Sequence, residues 1–174
     1  MPSSKQQALK AAASVLFAAV WCVFIFYMSA KNGDSSQQMS NGVIKMLAGV
    51  LVPGYADMDT IHQAIAVSAL SFPVRKAAHF CEYAILGLLV SNAALQIART
   101  FKQCGMGIVV DTVPFVPGRA LFAAAWAFCA LFAAGDEFHQ LFVDGRSGQL
   151  FDVGVDSVGA LAGVLVFARL LVKR

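Results

Sequence analysis

The run AAASVLFAAVWCVFIFYMSA, Ala11 to Ala30, carries no charge over twenty residues. As a helix it would rise about 30 Å, the thickness of a bilayer's hydrocarbon core. Lys5 and Lys10 precede it, as they would in a secretory signal, whose apolar region is about 7–15 residues long. This run is longer, and more apolar spans follow. We therefore read it as a retained transmembrane helix.

Three further spans run from about 77 to 98, about 120 to 140, and about 153 to 172. The expected fold is all-α: one membrane domain over residues 1–174, a helical bundle of about four transmembrane helices. A mean hydropathy of +0.70 agrees with this. A net charge of +3 leaves no electrostatic footprint for nucleic acid. Cys22, Cys81, Cys104 and Cys129 lack zinc-like spacing, and neither a disulfide nor a structural zinc is expected.

Short helices are expected between the first two spans. Met39, Val43, Met46, Leu47 and Val50 recur at helical spacing with Lys45 on another face. That pattern suits an interfacial amphipathic helix, or equally a short helix packed on the bundle. Pro53-Gly54 ends it. DTIHQAIAVSALSF then reads as a second short helix that stops near Pro73, with His62 on its surface.

Basic residues set the orientation. An inside N-terminus leaves Lys5, Lys10, Arg99, Lys102, Arg119, Arg169, Lys173 and Arg174 in the cytoplasm. Lys31, Lys45, Arg75, Lys76 and Arg146 fall outside. Both termini are then cytoplasmic. The start of span two, the end of span three and the start of span four lie together on the extracytoplasmic side.

Polar residues gather at those three places. Arg75, Lys76, His79, Glu82 and Tyr83 fall within about 120° of one helix face. Asp136, His139 and Gln140 share a face of the next span, with Glu137 to its side. Asp152, Asp156, Gly159 and Gly163 lie within about 60° on the last, where glycines four apart let a neighbouring helix come close. Ionisable groups at membrane depth are costly, so these faces must turn towards one another or towards water.

Several chemistries fit such a cluster. Histidine with carboxylates can hold zinc or a harder divalent cation, and the Asp136-x-x-His139 spacing places two ligands on one side of it. The same groups can work as a general acid–base pair. Arg75, Lys76 and Arg146 suit an anionic group such as phosphate. The acids and bases can also simply neutralise one another and fix helix register.

RKAAHFCEYAILGLL, followed later by DEFHQLFVDGRSGQLFDVGVDSVGALAG, resembles the VanZ-like family of bacterial integral membrane proteins. The matching positions are Lys76, His79, Phe80, Tyr83, Leu86 and Gly87, then Asp136, Glu137, Gln140, Gly145, Arg146, Asp152, Asp156 and Gly159. Asp144 stands where a proline is frequent, and the connection from Arg99 to Arg119 is longer than usual.

The resemblance implies a multi-pass protein of the bacterial cell envelope, in a family whose founding member is associated with low-level teicoplanin resistance. It implies no defined reaction. Two readings follow. In one, His79, Glu82, Asp136, Glu137 and His139 do acid–base or metal chemistry on a lipid-linked, phosphate-bearing molecule. Arg75, Lys76, Tyr83, Gln140, Arg146, Asp152 and Asp156 would bind it. In the other, a non-catalytic bundle binds envelope lipid, lipoglycopeptide or a partner protein. A transporter fits less well, because no inverted repeat or broken mid-membrane helix is present.

Overall fold

The computed structural model describes residues 3–103 and 117–172. Cys104, Lys173, Arg174, most of the 99–119 connection and the side chain of Met39 lie outside the described residues. Five α-helices follow in order: α1 (Ser4–Ser29), α2 (Gly33–Leu51), α3 (Thr60–Gln103), α4 (Pro117–Gln140) and α5 (Leu150–Val172). No strand forms among the described residues. Helices α1, α3, α4 and α5 are long and apolar enough to cross a membrane.

Helix α1 begins before the apolar run because Ser3 and Gln6 form a reciprocal cap, each side chain bonding the other's backbone N–H. Its inward stripe is Gln7, Ala11, Ser14, Ala18, Ile25 and Ser29. Its outward face carries Leu9, Leu16, Phe17, Val20 and Val23. The exposed face is thus more apolar than the buried one, as a lipid surrounding requires. Antiparallel pairing with α3 is pinned at both ends. The Gln7 amide reaches Gln96 Oε1 at 2.9 Å, and Trp21 Nε1 donates to the Glu82 carbonyl at 2.9 Å.

The expected short helix ending near Pro73 does not stop there. Helix α3 runs through Pro73 for 44 residues, so it rises about 66 Å, roughly twice a hydrocarbon core. Proline removes one backbone donor and normally breaks a helix in water. Membrane helices tolerate it where neighbouring groups satisfy the freed carbonyl. Here Pro73 falls beside a polar cavity lined by Ser68 and Ser71. The start of α3 is capped by Asp59, whose Oδ1 accepts from the His62 backbone N–H at 2.8 Å; His62 itself is exposed.

Helix α2 combines the two alternatives that its sequence left open. Ile44 and Ala48 are buried in the packing of α2 on α3, whereas Val43, Met46 and Val50 remain exposed. Gly54, with φ of 72°, turns the chain from α2 towards α3.

The tightest packing joins α3 and α5, which run parallel. Gly159 lies against the Phe80 carbonyl, Gly163 against the Ala84 carbonyl, and Gly87 against the backbone of Ala160. A Cβ at any of these positions would overlap backbone atoms. Ile25, Tyr83, Leu86, Cys129, Ala133 and Ala160 form the core around this contact. Cys22, Cys81 and Cys129 are unbridged.

Valine at Gly163 must therefore push α3 from α5, costing about 1–3 kcal/mol as overpacking does. Gly154→Ala, where the new Cβ meets nothing within 4 Å, tests the same helix without the clash. Thermal unfolding in detergent should show a clear loss for Gly163→Val and almost none for Gly154→Ala. Equal midpoints would contradict this packing.

Candidate functional site

The end of α1, the middle of α3, the end of α4 and the start of α5 meet at one end of the bundle, closed by the loop 141–149. Two adjoining cavities open there, of about 240 and 290 Å³. The first is lined by Ser29, Arg75, His79, Glu82, Asp136 and Arg146, among others. The second is lined by Lys76, Gln140, Gln149 and Asp152 and shares Arg75, His79 and Arg146 with the first. Arg75, His79 and Arg146 thus stand at the junction, with Lys76 beside them in the second cavity.

Each basic side chain is held differently. Lys76 pairs with Asp152 Oδ1, and its ammonium lies over the ring of Phe72 at 5.1 Å. Asp152 sits in the first turn of α5, where the helix dipole also favours it. Arg146 follows Gly145, whose φ of 71° turns the loop back. Its Nε donates to the Lys31 carbonyl at 3.1 Å and its terminal nitrogen to the Met28 carbonyl at 3.3 Å. Helix α1 has no basic residue in its last turn, so Arg146 supplies from a distant loop the charge that its carbonyl end favours. Burial, and then the neighbouring charge of Arg75, lowers the Arg146 pKa, yet a guanidinium keeps its proton. Arg75 makes no hydrogen bond or ion pair with the described residues and faces both cavities.

The acids lie deeper. Asp136, Glu137 and Asp156 are each less than 5% exposed. Gln140 donates to Asp136 Oδ2 at 3.3 Å and to Glu137 Oε1 at 3.2 Å, while the Gln149 backbone N–H donates to Glu137 Oε2 at 2.9 Å. Asp156 is fully buried, and neither of its oxygens accepts a hydrogen bond. His79 Nδ1 stands 3.5 Å from Asp156 Oδ1, near enough to attract but too far for a good hydrogen bond. Ligand atoms of His79, Glu137 and Asp156 all lie within 4.8 Å of one another. Tyr83 is buried with its hydroxyl unpartnered.

One expected grouping changes. Asp136 and His139 do not point at a common centre. The inward stripe of α4 is Cys129, Ala133, Asp136 and Gln140, and Glu137 and His139 flank it on opposite sides. Glu137 turns towards α5, where Gln149 meets it. His139 turns towards α1, where its ring lies 4.3 Å from that of Phe26, and it lines neither cavity. Glu137 therefore takes the place expected of His139 beside the other acids.

Ser29 and Gln149 escaped the sequence reading. Ser29 is buried in the last turn of α1, its hydroxyl unpartnered, and lines the first cavity. The signal for it was a small polar residue closing an apolar span. Gln149 acts on Glu137 through its backbone, which no side-chain pattern reveals.

Residues 14–172 match the family described as VanZ/LLP1. The chain belongs to the VanZ/LLP1 family. The match covers nearly the whole chain and includes all the helices that line the site. With four apolar helices long enough to span a bilayer, this VanZ/LLP1 protein is a multi-pass membrane protein. No curated protein and no solved structure matches it.

Removing the Arg146 fork should loosen the site from α1. Arg146→Ala should lower stability by about 1.5–3 kcal/mol, the range for charge-assisted hydrogen bonds. Arg146→Lys, which cannot fork, should recover only part of it. Thermal midpoints in detergent read this directly, and an unchanged Arg146→Ala midpoint would contradict the contact's role.

Proposed function

We propose that this protein binds the anionic headgroup of a lipid-linked, phosphate-bearing envelope molecule in the paired cavities. The observation that carries this reading is Arg75: a guanidinium facing both cavities with no partner among the described residues. A partly buried cation without a counter-charge at the edge of a bilayer favours an anionic partner, and a phosphate is the partner that its forked geometry suits. Arg146 stands beside it, fixed in place by α1. Apolar helix surfaces around the site suit the chains of such a lipid.

Acid–base chemistry on the bound molecule would fall to Glu82 and Asp136, which line the first cavity with His79. Glu137 and Asp156 stand behind them. His139, turned to Phe26, would have no direct part. The side proposed for the site is extracytoplasmic, with both termini in the cytoplasm, as the distribution of basic residues favours. Family membership suggests a role in glycopeptide susceptibility, teicoplanin in particular.

A non-catalytic reading also has support. The Lys76–Asp152 pair and the Arg146 bonds to α1 are satisfied structural contacts, which a bundle that only binds lipid or a partner would also need. Asp136→Asn and Glu82→Gln separate the two readings: an envelope phenotype that survives both, at normal expression, belongs to a binding protein.

Headgroup binding can be measured without knowing the natural lipid. Short-chain phosphatidic acid, titrated into the detergent-solubilised protein, should bind and should weaken with added salt. Diacylglycerol of the same chain length should not bind. Arg75→Ala should weaken phosphatidic acid binding about tenfold or more, the equivalent of one charge-assisted hydrogen bond. Equal affinity for both lipids, or an unaffected Arg75→Ala variant, would contradict the proposal. Reporter fusions at the C-terminus should be active in the cytoplasm and silent outside it.

A further inference from the structure

We infer that His79, Glu137 and Asp156 form a binding site for a transition-series divalent cation, zinc foremost. The inference goes beyond headgroup binding and does not depend on it, because the ligands are side chains of this chain alone.

Three independent observations converge. The first is geometric. Zinc bonds of about 2.0–2.1 Å in a tetrahedral site put neighbouring ligand atoms about 3.3–3.4 Å apart. His79 Nδ1 and Asp156 Oδ1 lie 3.5 Å apart, long for a hydrogen bond and close to that edge. The remaining atoms of the triad fall within 4.8 Å. Glu137 thus needs to draw in by up to about 1.5 Å, or to ligate through a water.

The second is the state of the ligands. Both oxygens of Asp156 are buried without a hydrogen-bond partner, although its side chain is fully enclosed. His79 Nδ1 is likewise buried without a hydrogen-bond partner. Native interiors rarely leave a carboxylate so, because its desolvation then goes uncompensated. Glu137, by contrast, is held by Gln140 and by the Gln149 backbone N–H. Such outer contacts are what orient a ligating carboxylate.

The third is charge. Asp136, Glu137 and Asp156 are all buried at the bottom of the cluster, whereas the bases Lys31, Arg75, Lys76 and Arg146 line the two cavities above them. Lys76 and Asp152 neutralise each other, and Arg146 is held by carbonyls at and just past the end of α1. A divalent cation at the triad offsets the excess where it is deepest. An imidazole nitrogen among the ligands favours zinc over magnesium or calcium. Three protein ligands leave a fourth position open, and His79 borders both cavities.

The test uses the full chain in detergent, stripped with a chelator, reloaded with zinc chloride and desalted. One zinc per chain should remain by elemental analysis. Cobalt(II) loaded in its place should give the visible ligand-field bands of a low-coordinate nitrogen–oxygen site. Asp156→Asn and His79→Gln should each weaken zinc binding by at least the roughly tenfold to hundredfold typical of lost outer-shell support. His62→Ala, which removes the exposed pair with Asp59, should retain the zinc. Should Asp156→Asn fail to fold, Glu137→Gln serves in its place. No zinc retained by the wild type would overturn the inference, as would equal retention and unchanged cobalt bands in the ligand variants. Phosphatidic acid binding by the stripped protein is read separately, so loss of one property does not decide the other.

Discussion

The close approach of α3 and α5 sets everything else in the site. Gly159 and Gly163 let α5 lie on the backbone of α3 at Phe80 and Ala84, and Gly87 does the same from the other side. With the helices parallel, this contact fixes their register. Lys76 then meets Asp152, and His79 meets Asp156 one turn further along. Between helices in lipid there is no hydrophobic drive to associate, so such backbone approach and the polar contacts that it aligns have to hold the pair. Packing and chemistry are here the same interaction.

That arrangement also explains how so many ionisable groups are tolerated. Isolated, each buried charge would cost several kcal/mol. Collected at one end of the bundle, they share two cavities and a short loop. Arg146 completes the end of α1, Gln140 bridges Asp136 and Glu137, and the Gln149 backbone steadies Glu137. Arg75 and Asp156 are the exceptions, a cation with no hydrogen bond or ion pair among the described residues and a buried anion whose oxygens accept no hydrogen bond, and each directs attention to a ligand from outside the chain.

Much of this was legible in the sequence, because each helix carries its polar residues on one stripe. The spans, the inward face of α3 and the glycine row of α5 follow from helical periodicity alone. The rest depended on tertiary context. Pro73 reads locally as a stop, yet α3 continues through it. Glu137 and His139 are nearly symmetrical about the α4 stripe, and only the positions of α5 and α1 decide which one faces the acids. Arg146 looks like a free phosphate ligand until its bonds to carbonyls at and just past the end of α1 are seen, since backbone acceptors leave no mark in a sequence. Asp136-x-x-His139 was a sound ligand spacing on one helix, but the site is assembled from three.

The register of α3 against α5 is tested most directly by exchanging the charges at Lys76 and Asp152. Lys76→Asp and Asp152→Lys alone should each lower the thermal midpoint in detergent, since each leaves like charges facing across the helix pair. The double variant should recover most of that loss, with a coupling well above the few tenths of a kcal/mol seen between distant sites. A double variant as unstable as the two losses added together would mean that these side chains do not face each other, and the three-helix site would fall with them.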